Sequence, residues 1–248
     1  MKNLKLLLMV MTFMSTINAQ SQEKNIPLNI DFDKIIVSPH IEVEFVQGDK
    51  AGIVINDITE SMEKFQYEIK SGTLQVYLEG AKTTTKHEKV KHEDWEQRIP
   101  IYKNTVARIT ITYENVDTFS IRGEEKIAFS SPMKQDDLTL RIYGESEVSI
   151  KEAVLQNLKV TIYGDSNLNI ENGAIGKQRI TAYGESEISS SNVECNEAKI
   201  TAYGSGTYQF NVTSKLKVTS YGESEILYKG NPEIKKGIVI GETNISKI

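Results

Sequence analysis

One glycine returns along this chain at nearly constant distance, and its neighbours return with it. "YGESE" stands at 143–147, 183–187 and 221–225, with "YGDSN" at 163–167 and "YGSGT" at 203–207. Gly144, Gly164, Gly184, Gly204 and Gly222 are therefore 20, 20, 20 and 18 residues apart. Looser copies around Gly123 ("FSIRGEEKIAF") and Gly241 ("IVIGETNISKI") extend the series in both directions. Self-similarity at this period marks a solenoid, in which each repeat is one structural turn packed on its neighbours.

Residue types decide what a turn is made of. Four before each glycine stand Leu140, Val160, Ile180, Ile200 and Val218, and two before stand Ile142, Ile162, Ala182, Ala202 and Ser220. Four after stand Val148, Leu168, Ile188, Tyr208 and Ile226, while Thr, Tyr, Glu and Asn occupy the odd offsets. Alternation with period two is the mark of a half-buried strand, and neither a helical stripe nor a leucine-rich consensus is present. The spacing predicts an all-β fold, a parallel β-solenoid (β-helix) with rungs of about 20 residues and Val, Leu and Ile inside. Ser146, Ser166, Ser186, Gly206 and Ser224 share the inward parity beside a glycine suited to a bend, where little room is left. Return strands led by Val154, Ile175 and Ile234 are expected to close the core.

Before Gly123 the pattern changes. "FDKIIVSPHIEVEFVQGDKAGIVI" and "KFQYEIKSGTLQVYL" read as alternating strands, with Ser71-Gly72 as a turn between two of them. The stretch "EGAKTTTKHEKVKHEDWEQR" is highly charged and holds His87, His92 and Trp95, so a mobile loop projecting at about 79–104 is expected.

At the amino terminus, Lys2 and Lys5 precede the apolar run "LLLMVMTFM", and "STINA" ends on the small Ala19. This reads as a secretory signal peptide over 1–19, followed by one β-solenoid domain over 20–248. The run is too short to span a bilayer, and no transmembrane segment is expected after the signal is removed. Loss of Lys2 and Lys5 would take the formal charge from −5 to −7, an acidic balance that argues against a nucleic-acid partner. Cys195 is the only cysteine, so no internal disulfide can form, and a small buried role in a strand is expected.

Together these segments resemble the family described as Putative auto-transporter adhesin, head GIN domain, over roughly Phe32 to the carboxyl terminus. The residues that carry the resemblance are the opening "IIV" and "IEVEFVQG" with Gly48, the strand pair "YEIKSGTLQV" and the ending "KGNPEIKKGIVIGETNISKI". The resemblance implies a right-handed parallel β-helix, exported to the periplasm, the outer-membrane surface or the medium, with a role in adhesion. The family commonly shows serine-glycine-rich rungs, whereas most rungs here carry "YGES". It supplies no catalytic residue to carry over.

Parallel β-helices include polysaccharide-cleaving enzymes, so a reaction centre must be sought. Proton transfer or metal binding needs clustered acids beside a base or cation. Here the acids form columns instead: Glu145, Asp165, Glu185 and Glu223 one after the glycine, Glu147, Glu187 and Glu225 three after. A repeated residue belongs to architecture, whereas a catalytic residue breaks the repeat. Carboxylates stacked about 4.8 Å apart repel by roughly 0.9 kcal/mol in water, which an exposed face tolerates without a cation. Calcium wants roughly 6–8 converging oxygens, more than a column offers. No catalytic residue, metal ligand or cofactor is therefore nominated, and the protein is read as not an enzyme.

The most distinctive column is Tyr143, Tyr163, Tyr183, Tyr203 and Tyr221, outward by parity and flanked by threonines and by Glu145, Asp165, Glu185 and Glu223. Its architectural reading is cross-strand stacking of β-favouring side chains. Its functional reading is a platform for a glycan or a surface protein, and both can hold together. The expectation is an exported, non-enzymatic surface or envelope protein that binds a macromolecule through this Tyr/Thr/Glu face. Two alternatives stay open: a polysaccharide lyase or hydrolase, marked by turnover of an acidic polysaccharide, and a purely structural envelope component.

Overall fold

The computed structural model describes residues 24–91 and 95–248; the expected leader and His92 lie outside them. The repeat region is a parallel β-solenoid, about six turns in all. Register is carried residue for residue from rung to rung. Leu140 pairs with Val160 and Val160 with Ile180, Ile142 with Ile162 and then Ala182, Tyr143 with Tyr163 and then Tyr183. The even offsets are buried, from Leu140, Val160 and Ile200 four before the glycine to Val148, Leu168 and Ile226 four after it, except that Gly206 is half-buried.

The glycine explains why the period is kept. Gly164 has φ 118°, and a Cβ placed on it would lie 2.2 Å from the carbonyl oxygen of Gly144. The chain turns here by passing backbone against backbone, and only hydrogen fits between. The inward serine two residues on completes the corner: Ser146 Oγ donates to the Gly123 carbonyl at 2.9 Å and Ser166 Oγ to the Gly144 carbonyl at 2.9 Å. Where the serine is replaced by Gly206, the vacated space is taken by the buried ring of Tyr208, whose hydroxyl would stand 2.7 Å from an added Cβ.

The return strand differs from expectation at one rung. Val154 is exposed and its neighbour Leu155 is buried, in register with the buried Ile175. The corner before this strand is turned by Lys151 and Glu152, and the inward set starts at the buried Ala153, so parity falls on Leu155. Ile234 pairs with Leu216 and is half-buried. Cys195 is buried and free, as expected, and burial pushes its thiol up to about 11.

Stack order departs from chain order at the amino-terminal end. Strands Lys34–Val37 and Ile41–Gln47 lie between two later ones on each side. Thr73–Leu78 and Ala107–Tyr113 flank them on the outside, Thr118–Gly123 and Lys126–Phe129 on the inside. The first coil in sequence is thus the second in the stack. Beyond it, antiparallel strands cover the end: Phe65–Lys70 on Thr73–Leu78, Gly52–Ile58 on Ala107–Tyr113, and Lys24–Pro27 on Gly52–Ile58. A terminal coil of a solenoid needs such a cap, because its outer edge would otherwise offer free backbone groups. Ser71 and Gly72, φ 50° and 72°, form the expected two-residue turn. Phe45, Phe119 and Phe129 fill the wider core here with centroids 4.8–4.9 Å apart.

The charged stretch expected as a loop at about 79–104 contains a hairpin. His87–Lys91 runs antiparallel to Glu96–Pro100, and Lys89 meets Glu96 at 2.8 Å. Lys91 stands directly opposite Glu96 while Lys89 faces Arg98, and neither strand has a buried residue. No helix among the described residues is long and apolar enough to cross a membrane.

The corner geometry makes a sharp prediction. Gly164→Ala introduces both a strained φ and a backbone clash, so it should destabilise the protein by at least about 2 kcal/mol in urea unfolding. A change within experimental error would show that the corner is looser than its contacts imply.

Candidate functional site

The strand that ends at each glycine presents its odd-offset side chains outward in straight columns. Nearest the glycine is the tyrosine column. Its rings are parallel to within 1–4°, with centroids 5.3, 4.6, 4.8 and 4.9 Å apart from Tyr143 to Tyr221. That spacing equals the distance between rungs, so each ring covers the faces of its neighbours. The column therefore shows solvent its ring edges and phenol hydroxyls, and its end rings are flanked in register by Arg122 and Ile240. Desolvation within the stack, and then the neighbouring phenols of Tyr163 and Tyr203, push the Tyr183 hydroxyl above its usual pKa.

The acids named in the sequence reading stand across the corner from the tyrosines. Glu145, Asp165, Glu185 and Glu223 sit on the bend and are exposed, and the strand beyond begins with the Glu147 column. The backbone N–H of Glu185 donates to Asp165 Oδ1 at 3.1 Å, so this column is partly spent on the corner itself. Among the described residues no group of three or more His, Cys, Asp or Glu could hold a metal ion.

Sequence reading missed a column on the same strands. Five residues before the glycines stand Lys159, Arg179, Lys199 and Lys217, and Lys235 continues the line. Lys159 pairs with Arg179, and Lys217 with Lys235. All five are exposed. The face is therefore cation, then threonine (Thr161, Thr181, Thr201, Thr219), then tyrosine, with the acids past the bend. Its signal was present at offset five, but a net charge of −5 for the whole chain conceals a local basic strip.

A second feature breaks the repeat. Two after Gly123, where later rungs carry serine, the chain has Glu125, buried with its carboxyl beneath the turn of His40. His40 lies in the turn between two strands, at φ 71°. Its Nδ1 donates to the Asn104 carbonyl at 2.7 Å, its Nε2 meets Thr85 Oγ1 at 2.6 Å, and Glu125 Oε1 is 3.8 Å away. These residues line a pocket of about 830 Å³ with Arg122 and Tyr143, the latter the first ring of the column. The Glu125 carboxylate accepts from the Glu124 N–H at 2.9 Å and holds the strained turn. His87 is apart from this pocket, in the exposed hairpin.

Burial raises the pKa of Glu125, outweighing the backbone N–H groups and His40, which lower it. A carboxyl with a raised folded pKa binds its proton more tightly in the native state. Its contribution to stability is full below the ordinary value of 4.5 and is lost as pH rises through the folded value. Glu125→Gln should therefore gain stability relative to the parent on going from about pH 4 to about pH 7, measured as the difference of melting temperatures. A constant difference would mean that Glu125 ionises as freely in the native state as in the unfolded chain.

The stacked parallel coils and their columned face define a parallel β-solenoid. The chain belongs to the family Putative auto-transporter adhesin, head GIN domain, whose model matches residues 31–232. Solved structures share the fold over nearly the whole chain. A putative adhesin from Bacteroides fragilis is 19% identical with a TM-score of 0.74, covering 92% of this chain and 98% of its own. A putative adhesin from Parabacteroides merdae is 19% identical with a TM-score of 0.66, covering 93% and 97%. A protein from Parabacteroides distasonis described as a putative lipid binding protein is 19% identical with a TM-score of 0.63, covering 92% and 97%. No curated protein matches the chain.

Proposed function

We propose that this is an exported, non-enzymatic adhesin-like protein that holds a glycan or a surface protein of its partner along the columned face. The observation that carries the reading is the register: five rungs place tyrosine over tyrosine, and four of them threonine over threonine, on one strand face. A repeated surface suits a repeated or extended partner, and the hydroxyl-rich edges it offers are hydrogen-bonding groups. Family membership and the adhesin-like neighbours support the same reading, and the sequence of residues 1–19 supports export.

Among the described residues, the cluster most like a reaction centre is the His40 pocket. His40 Nδ1 donates to the Asn104 carbonyl, so Nε2 accepts from the Thr85 hydroxyl, and Glu125 is held by backbone N–H groups; all three serve as ties between the turn, the Thr85 segment and the corner. This supports a binding protein over a lyase or hydrolase.

Replacing Tyr163, Tyr183 and Tyr203 together by Ser tests the reading. Binding energy concentrates in aromatic residues near the middle of a contact, so the variant should lose the signal the parent gives on a glycan array or on intact cells. Loss of stacking should cost about 0.2–1 kcal/mol per pair, lowering the melting temperature modestly while circular dichroism stays β-rich. Unchanged binding by the variant would place the site elsewhere, with the hairpin around Trp95 next in line.

A further inference from the structure

We propose that the partner of this face is a linear acidic polysaccharide, laid along the solenoid axis with its anionic groups on the column Lys159, Arg179, Lys199, Lys217 and Lys235. The inference rests on the columned face being the binding surface and adds the charge of what lies on it.

The column is not required by the fold. The two rungs before it carry Thr118 and Thr139 at the same offset, in register with each other and with Lys159, and both stack without difficulty. Five cations spaced about 4.8 Å apart instead repel one another. Among the described residues only Lys235 of the five has an ion-pair partner, Glu233 at 3.3 Å. The threonines beside them are neutral and the Glu145 and Glu147 columns stand across the glycine bend, so on their other side only Glu197 and Glu233, interspersed with Lys177 and Lys215, offer opposite charge. Two residues further from the glycine stand Lys177, Glu197 and Lys215, and with Arg179, Lys199 and Lys217 they line a shallow groove in which five cations face one carboxylate. A like-charged strip about 19 Å long, four rung spacings, is relieved by an anion of the same shape.

Column order narrows the chemistry. An extended glycan runs across the strands, along the column, and repeats its charge with each monosaccharide or pair of them. Beside the cations it would meet the Thr161–Thr219 hydroxyls and the phenol hydroxyls, which suit sugar hydroxyls as donors and acceptors. Single-stranded nucleic acid is the other linear polyanion, but it is held by bases stacking on aromatic faces. Here the faces of Tyr163, Tyr183 and Tyr203 are covered by one another.

The experiment measures binding of purified protein to polygalacturonate, dextran sulfate, neutral dextran and a single-stranded oligonucleotide at low and high salt. The parent should bind at least one of the two acidic polysaccharides, more weakly at high salt, and should not bind dextran. R179E/K199E/K217E should weaken that binding by at least about tenfold. R179T/K199T/K217T, which copies the residue of the preceding rungs and cannot disturb the strand, should weaken it in the same direction. Three results overturn the proposal: no acidic polysaccharide bound by the parent, binding unchanged in the threonine variant, or the oligonucleotide bound as tightly as the polysaccharides. If the threonine variant keeps the array or cell signal that the tyrosine variant loses, the proposal falls and the face remains the binding surface. If both variants keep that signal, both readings fall.

Discussion

Each rung turns where a glycine backbone lies against the carbonyl oxygen of the glycine one rung earlier. Gly144 sits so on Gly123, Gly164 on Gly144 and Gly222 on Gly204, with an added Cβ 2.2–2.3 Å from the oxygen in each case. No side chain can enter, so the corner admits one spacing between coils and one phase of the strand. Serine hydroxyls then satisfy glycine carbonyls that the turn leaves pointing inward. From this contact follow the register, the burial of the apolar even offsets from Leu140 to Ile226 and the alignment of the odd ones.

Magnitudes show which effects govern. Burying a Val, Leu or Ile side chain is worth about 1.5–3 kcal/mol, and a rung contributes several, such as Val160, Ile162, Leu168 and Ile170. A stacked tyrosine pair adds about 0.2–1 kcal/mol, and an adjacent pair of exposed like charges costs about as much as a strong tyrosine pair returns. Surface columns are therefore tolerated by the core. That leaves their chemistry open to be shaped by a partner, and it is why an acidic chain can carry a basic strip without consequence for folding.

Much of this was legible in the sequence, because period and parity are one-dimensional signals. Gly144 to Gly222 gave the rungs, Leu140 or Ile142 the inside, Tyr143 and its copies the outside, and Ser71-Gly72 the hairpin turn. What escaped were relations in space between segments without a shared repeat. The insertion of Lys34–Val37 and Ile41–Gln47 between two later coils depends on contacts that no local pattern records. The inward start at Ala153 shifted parity from Val154 to Leu155, and the pairing of His87–Lys91 with Glu96–Pro100 lies in a charged stretch with no apolar alternation to mark its strands. The His40 pocket assembles residues 45 and 64 positions apart, Thr85 and Asn104, around Glu125. Only the exception to the serine column marked that place in advance.

If the glycine contact sets everything else, a whole rung should be removable. Deleting residues 165–184 joins Gly164 to Glu185 and restores "YGESE" across the junction, so Val160 would meet Ile200 and Tyr163 would meet Tyr203. Thermal unfolding followed by circular dichroism is the direct measurement. A shortened protein with a β-rich spectrum and a single cooperative transition is the predicted result. An unfolded or aggregated product would contradict the account, since it would mean that the rungs are not equivalent units stacked by their corners.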